Sequence, residues 1–248
     1  MNSSKSFVSV KKRMETSRCT AILDIDETIL NPLYRYRDQI NEAMGMSLSV
    51  REIERSGGLD NYFRNSPRYL EFHGIAQRLR SDEEFNSDLP AIEGAVDGVS
   101  RLGQIEGLCL GCYLTTRPAQ VARVTAIDLE RKGFPSMPII CRPSDVQRSD
   151  TLSWKLSTIE ELAADYHGVL VSIDDSLALA TAIRNRNHNS SNFIVAILFN
   201  GPLTYFAVRQ GGIHSSKGEH FYVADWKKIP FVCSDYARIV SPTRLRKI

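Results

Sequence analysis

Short, continuous apolar runs that stop at polar or acidic residues recur along the chain, at 19–23, 108–114, 137–141, 168–173 and 193–199. Unbroken rather than alternating hydrophobicity is what a strand buried on both faces requires, and parallel sheets bury their strands in that way. Between several runs the spacing changes to that of helices. Val121, Val124, Ile127 and Leu129 follow Arg117-Pro118 and lead to Gly133, with Pro118 suited to a first turn and Gly133 to a stop. Residues 158–166 and 178–183 read as helices on the same grounds. Strands alternating with helices predict an α/β protein built on a parallel sheet.

Residues 31–90 have a different character, with helix signals and no convincing strand. Ser49-Val50-Arg51-Glu52 matches a capping box, Gly57-Gly58 a stop, and Ser66-Pro67 the start of a helix carrying Tyr69, Leu70, Phe72, Ile75 and Leu79. The expected organisation is a flexible basic tail over 1–18, an α/β core over 19–30 and 91–248, and a small helical domain at 31–90 inserted after the first strand. The tail assignment rests on five basic residues against one acidic residue, with little apolar periodicity. Such a start also resembles an organelle transit segment, but frayed termini are the commoner case. Past Asn200-Gly201-Pro202 the chain turns Gly-rich (Gly211, Gly212, Gly218) before a candidate strand at 220–224.

At 248 residues, 42% hydrophobic and 24% charged, the chain has ample material for a buried core. A formal net charge of +2 creates no broad field for nucleic acid, so an anionic ligand must be small or locally bound. The five cysteines are odd in number, and no apolar run is long enough for a membrane span or a signal peptide, so a reducing cytoplasm is the expected location. Cys109 and Cys112 form a C-x-x-C inside an apolar run, where they read as small core residues rather than a redox or zinc loop. The five histidines show no ligand-like spacing.

The first apolar run ends in Asp24-Ile25-Asp26-Glu27-Thr28. Two carboxylates converging at a strand end suit Mg²⁺ or paired nucleophile and acid/base work, although a lone D-x-D is also an ordinary solvated acidic turn. Other strand ends add support, because open α/β sheets bind ligands outside the carboxyl ends of their strands. The second run ends Leu114-Thr115-Thr116-Arg117, offering hydroxyls and helix-start amides to a phosphate oxygen. The fourth ends Ile173-Asp174-Asp175-Ser176, two adjacent acids whose repulsion calls for a cation. Lys155, read as preceding the helix that feeds this strand, can present an ammonium to both phosphate and acids.

This ordered set resembles the four motifs of the haloacid dehalogenase (HAD) superfamily, in its phosphatase branch. The matching residues are Asp24 to Thr28, Thr115 with Thr116 and Arg117, Lys155, and Asp174-Asp175, and the resemblance spans roughly residues 20–200. It implies a Rossmann-like sheet with the first and fourth strands adjacent at its centre, and a cap made by the helical insert. It also implies a phosphate monoester hydrolase working through an aspartyl phosphate: Asp24 as nucleophile, Asp26 as acid and base, Thr115 and Lys155 on the transferring phosphoryl group. Thr28, Thr116 and Arg117 would contact phosphate or substrate. Mg²⁺ would lie on Asp24, the Asp26 backbone carbonyl, and Asp174 or Asp175.

The expected substrate is a small phosphorylated metabolite. Asp26 favours a phosphatase over a dehalogenase, which needs only the nucleophile. A phosphomutase, a protein phosphatase of the carboxy-terminal-domain type, and an inactive binding protein on the same fold are the alternatives. The protein phosphatases usually lack a large cap after the first strand.

Overall fold

The computed structural model describes residues 3–164, 166–187, 194–199, 220–223 and 225–238. Six strands, β1 (Cys19–Leu23), β2 (Leu108–Pro118), β3 (Ile139–Arg142), β4 (Val169–Asp174), β5 (Ile194–Phe199) and β6 (His220–Val223), form one sheet. Their order is β3-β2-β1-β4-β5-β6, and every neighbouring pair is parallel. β1 thus sits where the winding direction reverses, with β2 on one side and β4 on the other, which is the position from which an open sheet presents its ligand crevice. The Gly-rich stretch after Asn200 and residues 239–248 lie outside the described residues.

Successive residues of β1 serve opposite faces of the sheet, as a pleated strand requires. On one face Ala21 and Leu23 join Val171, Ile173 and Ile197, covered by α7 (Ala95–Leu102), by Leu129 of α8 (Ala122–Arg131) and by α11 (Ile229–Ala237). On the other, Ile22 joins Cys112, Leu114, Leu170 and Leu198, covered by α1 (Ser3–Met14), α9 (Thr151–Ala164) and α10 (Leu177–Asn187). Cys112 is buried and the five cysteines carry free thiols. Trp226 is fully buried, donates from Nε1 to the Thr28 carbonyl at 2.7 Å, and packs so closely on α7 that a Cβ at Gly98 would lie 2.6 Å from its ring.

Several elements depart from the sequence reading. Residues 3–14 are a helix rather than a loose tail, because Phe7, Val10 and Met14 share one face and Val10 and Met14 are buried against the sheet. The lysines of the same segment mask that short stripe. α9 begins seven residues earlier than expected, continuing directly from a short 3₁₀ turn at Arg148–Asp150, so Lys155 lies inside the helix. β2 runs on to Pro118.

The insert is helical throughout: α2 (Leu33–Met44), α3 (Val50–Ser56), α4 (Leu59–Phe63), α5 (Tyr69–Ser81) and α6 (Glu83–Asn86). The capping box at Ser49 and Glu52 is formed, and Gly57 closes α3 in the left-handed conformation. The insert has its own apolar core around Ile40, Ile53, Phe63 and Phe72, with the two phenyl rings stacked at 4.4 Å. Leu70, on the same helix as Phe72, is exposed. The chain enters and leaves through paired segments: Leu30 bridges Ala91, Asn31 N–H donates to the Pro90 carbonyl at 2.8 Å, and Ile92 N–H donates to the Ile29 carbonyl at 2.9 Å.

Candidate active site

Register assembles the acids. Leu23 pairs with Ile173, so the next residue of each chain segment, Asp24 and Asp174, emerges beside the other at the centre of the sheet. The backbone N–H of Asp24 donates to the Ile173 carbonyl at 2.9 Å, which prolongs the pairing by one step. Lys155 reaches in from α9, its Nζ 2.8 Å from Asp24 Oδ1 and 2.6 Å from Asp174 Oδ2, and all three side chains are buried. Asp174 Oδ1 accepts the N–H of Ser176 at 2.8 Å, fixing the turn that carries Asp175. Asp24, Asp174 and Asp175 each bring an oxygen within 4.8 Å of the others.

Burial pushes the Asp24 carboxyl up to about 7, against the pull of Lys155 and with the push of Asp174. Asp175 is raised well above the ordinary range, by burial first and then by Asp174 and Asp24. For Lys155 burial works downward, but the two aspartates outweigh it and hold the ammonium above its ordinary value. Three carboxylates against one ammonium leave two negative charges when all are ionised. This matches a divalent cation held by oxygen ligands, so the residues fit Mg²⁺.

Asp26 is gripped by Arg117, whose Nε and Nη2 donate to its two oxygens at 2.9 and 2.6 Å, while Nη1 donates to Thr125 at 3.0 Å. Arg117 is buried, and its value is raised: burial acts downward, and Asp26 more than compensates. A cavity of about 420 Å³ opens above these groups, lined by Asp24, Asp26, Thr116, Lys155, Asp174 and Asp175 from the core and by Tyr36, Asp60, Asn61, Phe72 and Arg80 from the insert.

No family model matches the sequence, and no curated protein is similar to it. Solved structures are similar in fold. A phosphonoacetaldehyde hydrolase-like protein from Oleispira antarctica aligns with a TM-score of 0.58 and 14% identity over 94% of this chain and 95% of its own. A HAD hydrolase of family IA, variant 3, from Entamoeba histolytica gives 0.52 and 12% over 89% and 99%. The chain has the haloacid dehalogenase fold. Protein Tyrosine Kinase A of Mycobacterium tuberculosis also aligns, at 0.52 and 12% over 86% and 97%, so the HAD fold alone does not choose the reaction.

On this HAD fold the structure brings together Asp24, Asp26, Thr116, Arg117, Lys155, Asp174 and Asp175. Thr115 does not join them. It is fully buried, and its hydroxyl accepts the N–H of Arg117 at 3.2 Å, so the hydroxyl that β2 offers to the cavity is that of Thr116. The reason is strand alternation: β2 continues past Thr115, which turns consecutive threonines to opposite sides. Thr28 is likewise buried away from the cavity lining, its carbonyl taken by Trp226. Arg117, expected on phosphate, is engaged by Asp26 instead. Glu27 was not singled out for the site, yet it lines the cavity in a left-handed backbone conformation (φ 60°). Its Oε2 is buried without a hydrogen bond, and burial, then Asp26 and Asp24, push its carboxyl up to about 8. Glu27 stands inside the acidic motif, where its neighbours are the signal that could have marked it; no local signal marks the insert's lining residues, whose place depends on contacts far along the chain.

Proposed function

We propose that the protein is a Mg²⁺-dependent phosphatase that hydrolyses a small-molecule phosphate monoester through an aspartyl phosphate. One observation carries the reading: Asp24 and Asp174, joined through Lys155 at the ends of adjacent strands, open onto a cavity that the insert closes from above. A cavity of this size, roofed by the insert, accepts a small molecule and leaves little room for a folded protein substrate, which favours the metabolite reading over the protein phosphatase. The core over 19–30 and 91–248 then carries the chemistry, and the insert over 31–90 acts as its cap.

Asp24, Asp174, Asp175 and the Asp26 backbone carbonyl would hold Mg²⁺. When bound, the ion supplies positive charge that lets a phosphate anion approach an anionic nucleophile. An Asp24 oxygen forms the new bond to phosphorus as the bond to the ester oxygen breaks, and protonated Asp26 gives its proton to that leaving oxygen. Water then attacks the aspartyl phosphate, its proton passing to the Asp26 carboxylate, and phosphate leaves with Asp24 restored. Lys155 and the Thr116 hydroxyl bind charge on the transferring group, while Thr115 holds the turn that positions Arg117. The doubly bonded Arg117–Asp26 pair is the arrangement of the second step, with Asp26 charged as base. For the first step Asp26 must release at least one guanidinium N–H to donate its own proton.

Turnover of an aryl phosphate with and without Mg²⁺, alongside Asp24→Asn, tests the reading. Mg²⁺-dependent release of phosphate, lost in the variant together with phosphoenzyme labelling, is expected; wild-type protein inert with Mg²⁺ across a panel of phosphorylated metabolites would overturn it.

A further inference from the structure

The cavity has a second polar end that the reaction chemistry does not use. Arg80, on α5, lines it from the insert side, and Arg148, on the core segment leading into α9, stands behind that lining, bonded to the lining residue Asp60. Both guanidinium groups turn to a single carboxylate oxygen of Asp60: Arg148 donates to Asp60 Oδ2, and Arg80 Nη2 lies 4.0 Å from the same atom. Two cations thus share one anion. Arg148 Nη1 is buried without a hydrogen-bond partner, and Arg80 also faces the Tyr36 ring, 5.9 Å from its centroid. The crowding shows in Arg148, whose value is lowered by burial first and by Arg80 next. The surplus here is positive, whereas the Asp24, Asp174 and Asp175 end, completed by a divalent ion, is built for a phosphoryl group.

We infer that the substrate carries a second anionic group, a carboxylate or a second phosphate, which binds at the insert end of the cavity to Arg80 and Arg148. The inference rests on the phosphatase reading for the identity of the first group. A guanidinium is suited to this work because its fork matches either anion in two-point hydrogen bonding. The Arg148–Asp60 pair already joins core to insert, and an anion shared by Arg148 of the core and Arg80 of the insert would make that link in place of Asp60.

The test uses the full chain with Mg²⁺ and measures binding by calorimetry. The probes are ω-carboxyalkylphosphonates and α,ω-bisphosphonates of graded chain length, each compared with the plain alkylphosphonate of equal length. At the best length the second anion should tighten binding about tenfold or more, the worth of one or two charged hydrogen bonds. Whichever series shows the larger gain identifies the group. Arg80→Gln and Arg148→Gln should bring that ratio down toward one, whatever happens to absolute affinity. Asp60→Asn, which removes the internal anion competing for the arginines, should keep or raise it and serves if an arginine variant fails to fold. A wild-type ratio near one at every length, or a ratio unmoved in both arginine variants, overturns the inference. A high ratio in wild-type protein that hydrolyses none of the corresponding esters would sink the phosphatase reading and leave the anion site standing.

Discussion

Lys155→Met keeps side-chain length and removes the ammonium that lies 2.8 Å from Asp24 and 2.6 Å from Asp174. All three groups are buried, so the variant leaves two carboxylates out of water with no counter-charge, a loss worth about 3–5 kcal/mol in metal-free protein. For a chain of 248 residues each kcal/mol moves the midpoint by about 2–4 °C, so Tm should fall by roughly 6–20 °C. The loss depends on pH in a definite sense. Burial already pushes Asp24 from 3.8 up to about 7 although Lys155 pulls it down, and without the ammonium it rises further. An acid whose folded value exceeds its unfolded one favours the fold fully below the unfolded value, and loses that contribution as pH rises through the folded value. Lys155 itself lies above 10.5 in the fold, so its contribution is constant below that pH. The gap between variant and wild type should therefore change little from about pH 4 to 7, where both folded forms keep Asp24 protonated, and open between about pH 7 and 9, where wild-type Asp24 ionises and that of the variant does not. Urea melts in EDTA, followed by circular dichroism across that range, measure it, and added Mg²⁺ should narrow it by supplying the missing charge. A gap under about 1 kcal/mol at pH 9, or one that widens toward acid, would refute the reasoning.

Asp26→Asn should slow phosphoenzyme formation from alkyl phosphates by about 10²–10⁴-fold in single-turnover experiments and much less from aryl phosphates, whose leaving oxygen needs little protonation; equal slowing of both would exclude the acid role. Replacing the insert with a short Gly/Ser linker between Asn31 and Pro90, which already share a 2.8 Å hydrogen bond, should leave a folded core that still cleaves a small aryl phosphate but no longer discriminates among larger esters. Relative rates across a substrate panel that match those of the intact chain would remove the insert from specificity. Met14→Ala should cost about 2–5 kcal/mol in a denaturant melt, because the residue is buried beneath the sheet; a loose tail would give no change.

The fold and half of the site were legible because their signals are local. Strands buried on both faces need uninterrupted apolar runs, and acids at the ends of β1 and β4 follow those runs directly, so Asp24, Asp174 and Asp175 stand out in the sequence itself. What brings them together is the pairing of Leu23 with Ile173, a register that no short window contains. Thr115 and Thr116 illustrate the limit at the scale of one residue: where β2 ends decides which hydroxyl meets the cavity, and the strand outlasts its apolar run by several polar positions. α1 was hidden because three buried or half-buried apolar residues, spread over two turns, are outnumbered by basic ones. Arg117 and Asp26 meet across 91 positions of sequence and Arg148 and Asp60 across 88, so neither pair leaves a mark on spacing.

The same contacts hold Asp24 and Asp26, the proposed nucleophile and acid, in mechanically different ways. Asp24 is tied to the sheet through Ile173, and Lys155 anchors it further to α9. Asp26 belongs to a loop that closes on itself, with the N–H groups of Ile29 and Leu30 both donating to the Ile25 carbonyl and Glu27 N–H donating to the Leu30 carbonyl at 2.8 Å. Leu30 in turn bridges Ala91, at the point where the insert joins the core. A rotation of the insert about that junction would therefore displace residues bonded directly to the loop of Asp26, whereas Asp24 is held by the sheet. Arg117 holds the other side of Asp26 from the core, so the carboxyl stands between a fixed cation and a hinged loop. In the proposed reaction, closure of the insert over an ester would thus loosen the guanidinium grip, as proton donation by Asp26 requires, without moving Asp24.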